Sequence, residues 1–192
     1  MNFFIRHFAA ATGGKRVLCA FIFLLLCWQL SKFWGGWKEG VSSIFYVIHA
    51  PIHEIGHNVA GMMRLPETAV VLAGSVFQLL TPVAIGVYLI RHGDFPALPL
   101  CLGWLGFAVI EMAAYMYDTP FRNLTLVTFP GGSGGEISHD FEYLFTRWHC
   151  FDSACRIGEI TAAVGYGLVW LALALVVVVF VLGFLPRRMP EE

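Results

Sequence analysis

Long apolar runs separated by short polar ones organise this chain. Five of them approach the roughly 20 apolar residues that an α-helix needs to cross a bilayer, at about 17–34, 41–63, 69–90, 98–117 and 160–185. The expected fold is all-α, a polytopic membrane helix bundle of about five transmembrane helices, making one integral membrane domain of residues 1–192. The first run follows Arg6, Lys15 and Arg16 as a signal peptide would. No small-x-small cleavage site follows it, so it reads as an uncleaved anchor. Thr81-Pro82 is expected to kink the third run. The fifth, which ends at Pro186-Arg187-Arg188, reads as scaffold.

Between the fourth and fifth runs lies a polar loop, 118–156. There Phe141, Leu144, Phe145 and Trp148 fall on one face of a short helix, opposite Glu142 and Arg147. That pattern predicts a helix lying in the membrane interface. The stretch from Gly131 to Gly135 in the same loop reads as either a hinge or a plain linker.

Composition agrees with the runs. Hydrophobic residues make up 58% of the chain and charged residues 13%, a balance that ordinary soluble domains do not have. A net charge of −1, with no helix-turn-helix, zinc-finger or stacking pattern, argues against nucleic acid as a partner. The five cysteines form no metal-spacing motif. Cys19, Cys27 and Cys101 read as packing residues, and Cys150 and Cys155 as reduced thiols unless their side is oxidising. With five crossings, seven cationic residues (Arg6, Lys15, Arg16, Arg64, Arg122, Arg147, Arg156) share the N-terminal face. Five (Lys32, Lys38, Arg91, Arg187, Arg188) lie opposite, which places the N-terminus in the cytoplasm.

Candidate chemistry is concentrated in the second run, at His53-Glu54-Ile55-Gly56-His57. On a helix, residues four apart share a face, so the two imidazoles can grip one zinc ion while Glu54 serves as general base toward a water acidified by the metal. The residue frequencies of this chain make a chance HExxH about a one per cent event. A catalytic zinc usually has three protein ligands and one open position, so a third ligand must come from elsewhere. Glu111 is the first choice, because counted from the helix ends at 1.5 Å per residue it lies ~10 Å deep, between His57 at ~9 Å and His53 at ~15 Å. Asp118, at the membrane surface, and His139 and Asp140, which require the loop to fold back into the bundle, are the alternatives. His49, one turn before His53, is either a proton shuttle or a partner in an interhelical hydrogen bond. Pro51 between them removes a backbone donor. Gln78 and Tyr115 either touch substrate or tie helices together.

HExxH in a transmembrane helix, followed by an uninterrupted span and then one with an intramembrane carboxylate, resembles the site-2 protease class of intramembrane zinc metalloproteases. The segments Gly74-Ser75-Val76-Phe77-Gln78-Leu79-Leu80-Thr81-Pro82, Tyr115-Met116-Tyr117-Asp118 and His139-Asp140-Phe141-Glu142-Tyr143-Leu144 look like those of small bacterial membrane proteins grouped with that class. The resemblance implies zinc on His53 and His57, Glu54 as catalytic base, membrane-anchored protein substrates and a bacterial inner (plasma) membrane. The larger class takes its third ligand from an Asp in an Asn-Pro-x-x-Asp-Gly-like segment, and this chain has none. Two other classes compete with hydrolysis: a catalytically silent metal-binding scaffold, and a metal transporter using the histidine stripe. Transport calls for polar residues in both halves of the membrane, whereas here they cluster in one.

Overall fold

The computed structural model describes residues 13–124 and 139–182, and these are mostly helical with no strand among them. Gly131 to Gly135, Arg6 and the Pro186-Arg187-Arg188 end lie outside the described residues. The helices are α1 (Gly13–Phe33), α2 (Tyr46–Met62), α3 (Glu67–Arg91), α4 (Leu98–Asp118), α5 (Asp140–Arg147) and α6 (Ala154–Leu182). Among the described residues, four helical stretches are long and apolar enough to cross a membrane: Arg16–Phe33, Glu67–Arg91, Phe95–Asp118 and Phe151–Val181.

α2, which carries HExxH, is the exception. It has 17 residues, about 25 Å at 1.5 Å per residue, against a hydrocarbon core of ~30 Å. Residues 41–45, expected to be its first turns, lie outside the helix. Their amides go to side chains instead: Ser43 N–H donates to Glu111 Oε1 (2.6 Å), Ile44 N–H to Gln29 Oε1 (3.1 Å) and Phe45 N–H to Ser43 Oγ (3.1 Å). At the other end Arg64 adopts a positive φ of 54° and Pro66 caps α3.

α4 is the central post. Its pairing with α6 is the most extensive in the bundle, because glycine lets the two backbones approach. A Cβ on Gly165 would meet the Gly106 carbonyl at 2.9 Å, the small-residue contact that membrane helices use in place of hydrophobic segregation. Cys19, Ile22, Leu26, Leu30 and Phe33 of α1 close the core against Phe107 and Ile110 of α4 and Val169, Leu173 and Val176 of α6.

Direction along α4 can be read from its neighbours. Gly103 abuts Leu26, and Trp37, just past α1, sits 5.5 Å from Tyr117, so α1 runs with α4. Gly165 packs on Ile110 and Gly158 on Tyr117, so α6 runs against it, as does α3, whose Gly86 faces Leu98 and Cys101. α2 runs with α4: Phe45 stacks on Trp104 at 5.5 Å, while His53 reaches α5 beside Tyr115.

The short amphipathic helix forms as expected, and its apolar face packs against the bundle. Phe141, Leu144 and Phe145 of α5 are buried against Val71 and Leu72 of α3 and Met112, Tyr115 and Met116 of α4, and only Trp148 stays half-exposed. Its apolar face found helices rather than lipid, which folds the loop back over the bundle. Pro82 lies within α3, which continues through it, and Thr81 Oγ1 donates to the Phe77 carbonyl at 2.9 Å.

Candidate metal centre

Three side chains converge where α2, α3 and α5 meet. His53 and His57, one turn apart on α2, bring their Nε2 atoms to 2.9 Å of each other. Asp140 Oδ2, in the first turn of α5, lies 3.0 Å from His53 Nε2 and 3.3 Å from His57 Nε2. Each of the three is partly open to solvent. The carboxylate sits at a helix N-terminus, where the backbone dipole favours negative charge.

The tautomer of His57 is set from behind. Its Nδ1–H donates to the Val70 carbonyl of α3 at 2.8 Å, which leaves Nε2 as a lone pair directed at His53 and Asp140. Three electron-rich atoms thus point at one another, an arrangement that a proton or a cation must resolve. Ligand atoms ~2.0–2.1 Å from a tetrahedral zinc stand about 3.3 Å apart, close to the separations found. Two imidazoles and one carboxylate are also a donor set that zinc takes in catalytic sites, so the residues fit the ion. Burial pushes the Asp140 carboxyl up, but where a proton resolves the cluster the imidazoles of His53 and His57 beside it outweigh burial and hold the carboxyl below its usual range.

α3 closes the far side of the cluster with Gly74. A Cβ built there would run into Nε2 of both histidines. We expect Gly74→Ala to swing the rings apart and weaken zinc binding roughly tenfold or more, the scale of a lost supporting contact, with little change in thermal stability because ring ends can move. Gly56→Ala should lower thermal stability as well as zinc binding, since its methyl would strike the Ala73 backbone carbonyl and force α2 and α3 apart. Zinc titration and thermal unfolding of both variants check the contrast.

Glu54 is half-buried on the same turn of α2 and within electrostatic reach of His57. Glu111, the expected third ligand, is not in the cluster. Its Oε2 accepts from His49 Nδ1–H at 2.6 Å and its Oε1 from Ser43 N–H at 2.6 Å, because the face of α4 that carries it meets the start of α2 rather than its middle. The Trp104 indole N–H donates to His49 Nε2. Tryptophan has only a donor to offer, so His49 must carry its proton on Nδ1, and the Glu111 carboxylate accepts at both oxygens. His49 therefore makes interhelical hydrogen bonds on both sides of its ring.

Asp118 accepts from Asn123 N–H (3.0 Å) and Leu124 N–H (2.9 Å) and ties the turn after α4. His139 caps α5. It is buried with its ring 4.0 Å from that of Tyr115, and burial lowers its pKa. Tyr115 joins helices: its hydroxyl accepts from Asp140 N–H at 3.3 Å. Gln78, half-buried, lies one turn beyond Gly74 on the same face of α3. All five cysteines are free.

Sequence reasoning had no signal for the Val70 carbonyl, since any residue can offer one. Gly74 was visible only as part of a motif. No family model, curated protein or solved structure matches the chain.

Proposed function

We propose that this protein is a membrane-embedded zinc metallopeptidase that hydrolyses peptide bonds of membrane-anchored chains. The observation that supports the reading is the convergence of His53 Nε2, His57 Nε2 and Asp140 Oδ2 within 2.9–3.3 Å, with Glu54 on the same helix turn. In this reading Asp140 takes the place first given to Glu111, and the two histidines with Asp140 would hold zinc. The ion would supply a Lewis acid that polarises the scissile carbonyl and acidifies a water.

The chain's own residues account for the rest. Glu54 receives the proton from water and passes it to the leaving amine. Val70 holds His57 in the tautomer that leaves Nε2 unprotonated. Tyr115 and the buried face of α5 fix Asp140 at the cluster. A substrate helix must unwind locally to offer a carbonyl, because helical backbone in a bilayer keeps its carbonyls bonded.

Glu54→Gln tests the division of roles. The purified variant should keep about one zinc per chain, because the residue is a base and not a ligand. It should fail to cleave a single-span reporter peptide, carrying a donor and quencher across its membrane-proximal segment, that wild type cleaves in proteoliposomes. Loss of zinc from this variant, or unchanged cleavage by it, would refute the assignment.

A further inference from the structure

α1 carries the chain to the end of the bundle where Tyr117 sits, with Trp37 5.5 Å from that ring. Six residues on, Ser43 N–H reaches Glu111, and Phe45 then stacks on Trp104 at 5.5 Å. Trp104 lies ~21 Å along α4 from Asp118 at 1.5 Å per residue, past the middle of a ~30 Å core. The chain therefore descends beside the helix whose end it had just reached. α2 then climbs back. His49 sits at the level of Trp104 and Glu111, His53 at Asp140 beside Tyr115, and past Met62 the chain enters α3, whose Glu67 accepts from Tyr143 of α5.

We infer that α2 is a re-entrant helix. Residues 34–45 enter the bilayer from the face to which α2 returns, and the chain crosses four times, through α1, α3, α4 and α6. The His53, His57 and Asp140 cluster then opens toward the face opposite both chain ends. This topology does not depend on the metallopeptidase reading.

Backbone satisfaction argues for it independently of direction. Irregular backbone survives at membrane depth only where protein takes up its polar groups, and here three successive amides, those of Ser43, Ile44 and Phe45, are each bonded to a side chain. Two of the acceptors, Gln29 and Glu111, are polar residues within the candidate spans Arg16–Phe33 and Phe95–Asp118, where such groups are expensive and need a purpose. They act as positioning residues for the tip of the dip, and His49 and Trp104 brace Glu111 from the other side.

Five crossings set seven cationic residues against five, but four crossings divide them evenly. Arg6, Lys15, Arg16, Arg91, Arg187 and Arg188 belong to segments on one face, and Lys32, Lys38, Arg64, Arg122, Arg147 and Arg156 to the other. The cationic bias that had placed the N-terminus in the cytoplasm disappears. If the cluster is hydrolytic, its substrates must present the scissile bond at the face away from this protein's ends.

Single cysteines at Glu39, His92 and Thr146, in a full-length chain whose own cysteines are serine, would be labelled with an impermeant maleimide in sealed, oriented vesicles. Epitope tags at the two ends of the otherwise native chain give a second readout free of cysteine changes. Re-entry predicts that Glu39→Cys and Thr146→Cys label from one face and His92→Cys from the other, with both tags on the His92 side. Glu39→Cys labelling with His92→Cys, or tags on opposite faces, would mean five crossings and overturn the inference. Neither result depends on metal, so zinc content measured on the same preparations judges the metallopeptidase reading separately.

Discussion

Asp140→Ala is expected to emerge from purification without zinc. If His53, His57 and Asp140 hold zinc as proposed, removing Asp140 leaves a two-histidine site, and its affinity should fall by more than the ~10–100-fold that loss of an outer supporting contact typically costs. His57→Ala should behave alike. Glu111→Ala, by contrast, should retain zinc, since Glu111 bonds His49 and Ser43 and not the cluster. Asp118→Asn should retain it too, because that carboxylate ties a turn. Metal analysis after dialysis against a weak chelator ranks the four. A helical, monodisperse Asp140→Ala protein that kept a full zinc would remove Asp140 from the site.

The second large effect falls on stability. Glu111→Ala strands two buried donors, His49 Nδ1–H and Ser43 N–H, each costing about 1–3 kcal/mol when unsatisfied, and it dismantles a buried, charge-bearing network, for which losses of about 3–5 kcal/mol are usual. We expect about 2–5 kcal/mol, which at roughly 2–4 °C per kcal/mol for a chain of this size should show clearly in thermal unfolding in detergent. Glu111→Gln keeps one carbonyl acceptor and nearly the same shape, so it should cost less. Equal stability of wild type and Glu111→Ala would mean that the network does not hold the start of α2.

Hydropathy alone made α1, α3, α4 and α6 legible, because each is an apolar run long enough to stand by itself. α2 was misjudged at its start. Val41, Ile44 and Phe45 are apolar enough to extend the run, and nothing in their character says that their amides will be taken by Gln29 and Glu111 instead of by a helix. α5 was read correctly as amphipathic. Its partner was not, since the pattern that suits lipid suits the flanks of α3 and α4 equally well.

The histidine pair and Glu54 came from a spacing that fixes their geometry locally. The third carboxylate did not, because it depends on how far a loop folds back. Depth along α4 put Glu111 near the right level, but depth cannot tell which residue of α2 a face meets, and that face meets His49. Asp140 carried a weaker signal: a His-Asp pair heading an amphipathic helix too short to stand alone.

The central claim is that His53, His57 and Asp140 hold a catalytic zinc, and X-ray absorption at the zinc edge of the purified wild-type protein, with metal content, tests it most directly. The account predicts about one zinc per chain, with two imidazole nitrogens and oxygen neighbours at about 2.0–2.2 Å and no sulfur shell near 2.3 Å. A protein that retains no zinc, or a zinc with sulfur among its neighbours, would contradict it.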